Sequence, residues 1–133
     1  MPTASLANDP AKERQELMKS VGDAVKVIVP MAKGEAPYDA TAAVEAMRTL
    51  NKVPDEFVAL FPKGSESGHD TEASPKIWED PDGFKAKAED MKKASAQGIE
   101  EAGKGVDALN AVTFGPLLKT CKACHDEYRI KKN

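Results

Sequence analysis

Cys121-Lys122-Ala123-Cys124-His125 sits in a run from about Val106 to Ile130 in which Leu109, Val112, Leu117, Cys121, Cys124, His125 and Tyr128 recur at roughly helical intervals. Cys124 follows Cys121 by three residues and His125 follows it by four, so on a helix the three side chains leave the same side. A flat ligand held there is gripped at three points. Gly115-Pro116 marks a place where this helix can bend.

Upstream the same periodicity appears three more times. Asn8 or Asp9 can cap a first helix, with Pro10 tolerated in its first turn, and Leu17, Met18, Val21, Val25, Ile28 and Val29 form one apolar face. Pro30 limits that helix, and Lys33 to Pro37 reads as a turn. Asp39 or Thr41 can start a second helix carrying Val44, Met47, Leu50, Val53, Phe57 and Leu60, interrupted or kinked at Pro54. Residues 61–83 hold many prolines, glycines and serines, the mark of a long surface connection. Within it, Ile77 and Trp78 predict a fold back onto the core. A third helix can begin at Asp82 or Gly83, turning Phe84, Ala88 and Met91 inward and fading by Gly98 to Gly103.

Four amphipathic segments without a convincing strand predict an all-α protein, an antiparallel four-helix bundle. The chain of 133 residues is read as one domain, 1–133, long enough to bury its own core. Aromatic residues are 5% of it, while Ala, Lys, Glu, Leu and Met are plentiful, which favours helix. Charged residues at 31% with a net charge of −3 describe an ordinary solvated surface and argue against nucleic-acid binding. No stretch reaches the roughly 20 apolar residues of a membrane span, and Met1 to Pro10 lacks the pattern of an export signal.

A Cys-x-x-Cys followed directly by His is the pattern of covalent haem attachment, in which the thiols form thioethers with the vinyl groups and the imidazole binds iron. The competing readings of Cys121 and Cys124 are a redox dithiol, a disulfide or half of a zinc site. A dithiol of the thioredoxin kind expects a strand-to-helix setting that this chain lacks. Tetrahedral zinc needs a fourth ligand, and His69 is the remaining histidine. Cys and His aside, no nucleophile–base pairing or carboxylate cluster is assembled by the sequence, so a hydrolytic enzyme has no candidate site, and the chain is not read as an enzyme.

With that motif at the C-terminal end of four helices, the chain resembles the class II c-type cytochromes, the group of cytochrome c′ and the low-spin cytochrome c-556 proteins. The matching pieces are Arg14-Gln15-Glu16-Leu17-Met18-Lys19, Lys33 to Asp39, Pro75-Lys76-Ile77-Trp78 and Cys121 to Arg129. The resemblance implies one haem c per chain inside the bundle, attached at Cys121 and Cys124, with His125 as proximal axial ligand and the first helix over the opposite face. It also implies export to the bacterial periplasm, with a signal peptide absent from the chain shown, and a monomer or a homodimer.

By its place in the Arg-Gln-x-Leu-Met stretch, the resemblance implies that Met18 is the residue facing the iron opposite His125. If its sulfur binds, the iron is six-coordinate and low-spin, and the protein is a carrier of single electrons between redox partner proteins. If Met18 only packs over the haem, the iron is five-coordinate and the protein binds a small gas such as nitric oxide. Arg14, one turn before Met18, either reaches a haem propionate or is a solvated cation, and Gln15 can hydrogen-bond the same group. Trp78 packs near the haem or plugs the long loop. Arg129, four after His125, places a cation near the imidazole. Lys119, Lys122, Arg129, Lys131 and Lys132 either steer an acidic partner or form a solvated face at a helix C-terminus.

Overall fold

A computed structural model describes residues 9–67 and 71–130. Helix α1 spans Pro10–Ala32. Asp9 caps it by accepting the Lys12 N–H at 3.3 Å, and Pro10 stands where no N–H is required; Asn8, the other candidate cap, lies outside the described residues. Pro30 falls in the last turn and does not shorten the helix. Its carbonyl instead accepts the N–H groups of Glu35 at 2.8 Å and Ala36 at 3.2 Å, and Gly34 at φ 79° reverses the chain. Helix α2, Ala40–Val58, is capped by Asp39 through the Ala42 N–H at 3.1 Å and continues past Pro54.

The long connection contains one helical turn, α3 (Lys76–Glu79), and delivers the buried Ile77 to the core as the apolar pair foretells. Helix α4, Pro81–Glu101, begins ahead of the expected Asp82 or Gly83 because the side chain of Asp80 is the cap, accepting the Gly83 N–H at 3.2 Å. A 3₁₀ turn, Ala102–Lys104, and Gly105 at φ 121° lead into α5 (Val106–Val112), a π turn (Thr113–Leu117) and α6 (Leu118–Tyr128). The last three pieces act as one rod. With α1, α2 and α4 it makes an antiparallel four-helix bundle, with no regular strand among the described residues.

The π turn decides which way the end of the rod faces. At about 100° per residue, an unbroken α-helix would point Leu117, Cys121, Cys124 and Tyr128 about 120° away from Leu109 and Val112. One extra residue in a wide turn absorbs about 100° of that. Leu109, Val112, Leu117 and Tyr128 are consequently all buried. The expected bend at Gly115-Pro116 is this turn.

The main core joins Val21, Ala24, Ile28 and Met31 of α1 to Met47, Leu50 and Val53 of α2, Met91 of α4 and Leu109 and Leu117 of the rod. The Tyr38 hydroxyl donates to the Ala102 carbonyl at 2.5 Å and accepts the Gly105 N–H at 3.0 Å, pinning the first turn to the third. A second cluster lies at the other end, where Ile77, Phe84 and Tyr128 pack with Phe57, Phe61 and Trp78. Its rings meet edge to face, Phe61 on Phe84 at 4.7 Å and Phe84 on Tyr128 at 5.4 Å. Among the described residues no helix is long and apolar enough to cross a membrane.

Candidate functional site

Between these two clusters the bundle encloses a cavity of about 520 Å³, walled by α1 and α6 and closed in part by residues 71–73 of the connection. That size is ordinary for a cofactor site, about 300–1,000 Å³. Helix α6 contributes Cys121, Cys124 and His125, all three half-buried and all on the cavity wall; α1 contributes Met18 to the same wall. A smaller pocket of about 40 Å³ shares these four residues and is otherwise bounded by apolar groups such as Val53 and Met91. The cavity thus brings Met18 of α1 together with the two thiols and the imidazole of α6.

Both cysteines are free thiols. Burial pushes Cys121 up, and burial reinforced by Cys121 pushes Cys124 up to about 11, so each keeps its proton at neutral pH. Burial first, and then the Arg129 charge, push His125 below the usual histidine range, which leaves a neutral imidazole with a lone pair to donate. Among the described residues no group of three His, Cys, Asp or Glu could hold a bare metal ion; His69 lies outside them. Two thiols and one imidazole on a largely apolar slot fit a flat iron macrocycle joined through its vinyl groups.

Arg14 lies on the cavity wall but is buried, 4% exposed. Its Nη1 donates to the Leu60 carbonyl at 2.8 Å and to Ser65 Oγ at 2.9 Å, and its Nη2 to the Ser65 carbonyl at 2.9 Å and Thr71 Oγ1 at 3.3 Å. The guanidinium also sits 4.5 Å from the centre of the Phe61 ring. It is thus no solvated cation, and burial holds its pKa below the usual arginine value. Gln15 is exposed at the rim of the same wall. Trp78 packs edge-on against Phe61 at 5.5 Å and donates from Nε1 to the Pro62 carbonyl at 3.3 Å, away from the cavity lining. Arg129 lies on the wall, its Nε 3.5 Å from Glu72.

Three contributions to the cavity follow only from the tertiary fold, although the apolar stripes had already placed Phe57, Phe84 and Tyr128 on inward faces. Thr71, Glu72 and Ala73 close the cavity because the connection pairs with the end of α6: the Ser74 N–H donates to the Tyr128 carbonyl at 2.9 Å and the Ile130 N–H to the Glu72 carbonyl at 2.6 Å. Phe57, Phe61 and Phe84 line one end. The Tyr128 hydroxyl donates to Asp80 Oδ2 at 3.0 Å, tying α6 to the cap of α4. Of the expected basic patch, Lys122 pairs with Asp126 at 2.7 Å and Arg129 with Glu72; Lys131 and Lys132 lie outside the described residues.

The helical bundle and the thiol–thiol–imidazole wall define a protein built around a covalently held haem. A family model described as Cytochrome C′ matches residues 9–129. A cytochrome c-556 from Agrobacterium tumefaciens (strain apple 185) is 40% identical over 126 residues, covering 90% of this chain and 94% of its own. Cytochrome c′ from Rhodopseudomonas palustris superposes with a TM-score of 0.88 at 34% identity, over 95% of this chain and 99% of its own. The nitric oxide complex of a mutant cytochrome c prime from Alcaligenes xylosoxidans gives a TM-score of 0.82 at 34% identity, over 93% of this chain and 95% of its own. The chain belongs to the cytochrome c′ family, the class II c-type cytochromes, whose members bind covalently attached haem c.

Proposed function

We propose that the protein carries single electrons in the bacterial periplasm, with haem c held as thioethers by Cys121 and Cys124 and its iron bound by His125 and Met18. The observation that carries this reading is that the Met18 side chain of α1 and His125 of α6 line one cavity, each supplied by a different helix. When bound, the haem supplies an iron that gains or loses one electron.

The chain's own residues set the conditions for that exchange. Forming each thioether uses the S–H of a protonated thiol, the state in which burial keeps Cys121 and Cys124. His125 offers a neutral nitrogen, and the thioether of Met18 is a soft donor that favours ferrous iron. Val21, Val25 and Phe57 line the slot and exclude water. The cation of Arg129, felt by His125, favours the reduced state further. Lys119, Lys122 and Arg129, with Lys131 and Lys132, add positive charge at this end and favour an acidic redox partner. The protein acts as a carrier, not an enzyme, and works as a monomer or a homodimer.

A second reading is a five-coordinate haem that binds a small gas, with Met18 covering the iron. The similarity to a nitric oxide complex favours it. Absorption spectra of the oxidised and reduced protein separate the two, because a Met-bound low-spin haem has sharp α and β bands. Met18→Ala is expected to abolish those bands and the weak near-infrared sulfur-to-iron band of the oxidised form. A parent protein without these bands, or a variant spectrum that does not change, would sink the ligation by Met18.

A further inference from the structure

Arg14 is the one buried cation among the described residues, and it directs its donors to a loop. A guanidinium offers five N–H donors in a planar fork. The four on Nη1 and Nη2 match the four hydrogen bonds to Leu60, Ser65 and Thr71, all of them to neutral carbonyl or hydroxyl oxygens. Phe61 and Trp78 stand against its plane, with the guanidinium carbon 4.5 and 5.8 Å from their ring centres.

The bonds continue past Arg14 in both directions. Ser65 Oγ donates onward to the Pro62 carbonyl at 2.7 Å, and the Trp78 indole donates to the same carbonyl. Thr71 Oγ1 accepts the Ala73 N–H at 3.1 Å, and residues 72–74 pair with Tyr128 and Ile130. One end of this chain of contacts sits one turn before Met18 on α1. The other sits one turn after His125 on α6. The two helices have the haem cavity between them, and at this end residues 71–74 of the connection reach from Arg14 to the end of α6.

We propose that Arg14 is a positioning residue: by clamping Leu60, Ser65 and Thr71 to α1 it fixes the separation of α1 and α6 at the cavity mouth, and so sets how closely residue 18 approaches the iron. The proposal rests on the haem lying between Met18 and His125, but it holds whether Met18 binds the iron or only covers it. The role depends on the fork geometry, since lysine has one nitrogen and cannot span Leu60, Ser65 and Thr71 together. It also depends on the acceptors, and Ser65 is the useful one because it is buried and does not line the cavity.

The test compares Arg14→Lys and Ser65→Ala with the parent holoprotein in two measurements. One is the association rate of carbon monoxide with the ferrous haem, together with the absorption spectrum that reports the iron's spin state. The other is amide hydrogen exchange in residues 60–67 and 71–74. Both variants are expected to bind carbon monoxide about tenfold faster, the factor expected when one hydrogen bond to a charged group is lost. Both should exchange faster in those segments while α2 and α4 stay protected, and where Met18 binds the iron both should also gain high-spin character. Ser65→Ala with parental rate and spectrum overturns the proposal even if Arg14→Lys changes them, because Arg14 would then act through charge or direct contact. Parental behaviour of both variants overturns it as well. Ser65→Ala removes a single hydroxyl, so the question stays answerable if Arg14→Lys fails to fold. The Met18→Ala spectrum decides ligation separately, so failure of one idea is distinguishable from failure of the other.

Discussion

Tyr128 closes the haem-bearing helix with its ring in the second cluster and its hydroxyl on Asp80, a carboxylate that also caps α4. Burial, with Asp80 adding to it, raises the phenol from its usual 10 to about 12. Because the folded value lies above the unfolded one, the stabilisation is fully present below pH 10 and is lost as pH climbs from 10 through 12. Tyr128→Phe has no such titration. The parent's advantage in melting temperature over this variant should therefore shrink across that range in alkaline melts. At this scale the sequence was legible where spacing carries the information. Cys121, Cys124 and His125 are grouped by three- and four-residue steps and Met18 by the resemblance of its stretch to the family, and all four line one cavity. Arg14 was legible as a resident of that wall and not as a loop clamp, since its acceptors at Leu60, Ser65 and Thr71 are 46 to 57 residues away and have no periodic relation to it.

Among the elements, the rod of α5, π turn and α6 carries the largest consequence. Removing its extra residue would turn everything after it by about 100° relative to Leu109 and Val112. Deletion of Gly115 is expected to swing Cys121, Cys124 and His125 off the cavity wall. The chain should then recover little covalent haem, measured as haem stain per protein after denaturing electrophoresis, while its helix content stays near the parent's. The contact between α2 and α4 offers a second test. A Cβ on Gly98 would meet Met47 Sδ at 2.5 Å, and Met47 is fully buried with its Cγ also close. Gly98→Ala gains about 1 kcal/mol of helix propensity, but overpacking costs about 1–3 kcal/mol. A net loss of about 1 kcal/mol in denaturant unfolding is expected from these opposing terms, and a gain would show that Met47 has room to move. Helix positions and caps were mostly readable from Asp9, Asp39 and the apolar stripes. The start of α4 was not, because Asp80 and Asp82 both flank Pro81 and only the fold shows which carboxylate turns onto the helix.

For the molecule as a whole, the haem site is a structural liability as well as a functional centre. Without a bound group, the largely apolar slot of about 520 Å³ leaves the facing side chains of α1 and α6 without packing partners on one side. The double change Cys121→Ala and Cys124→Ala is therefore expected to lose covalent haem and fixed packing of α1 against α6, with helical circular dichroism largely kept. Amide exchange protection should collapse in those two helices before it does in α2 and α4, which give the main cavity only Phe57 and Phe84; uniform protection of all four would contradict this. The four long helical segments, the four-helix class and the Cys-x-x-Cys-His spacing were determined by the sequence alone, because each rests on short-range periodicity, capping and spacing along the chain. Tertiary structure decided the rest. It decided that a π turn aligns α5 with α6, that the connection closes the cavity by pairing with residues 128–130, and that Arg14 faces a loop, because those outcomes depend on which distant backbone atoms arrive beside a given side chain.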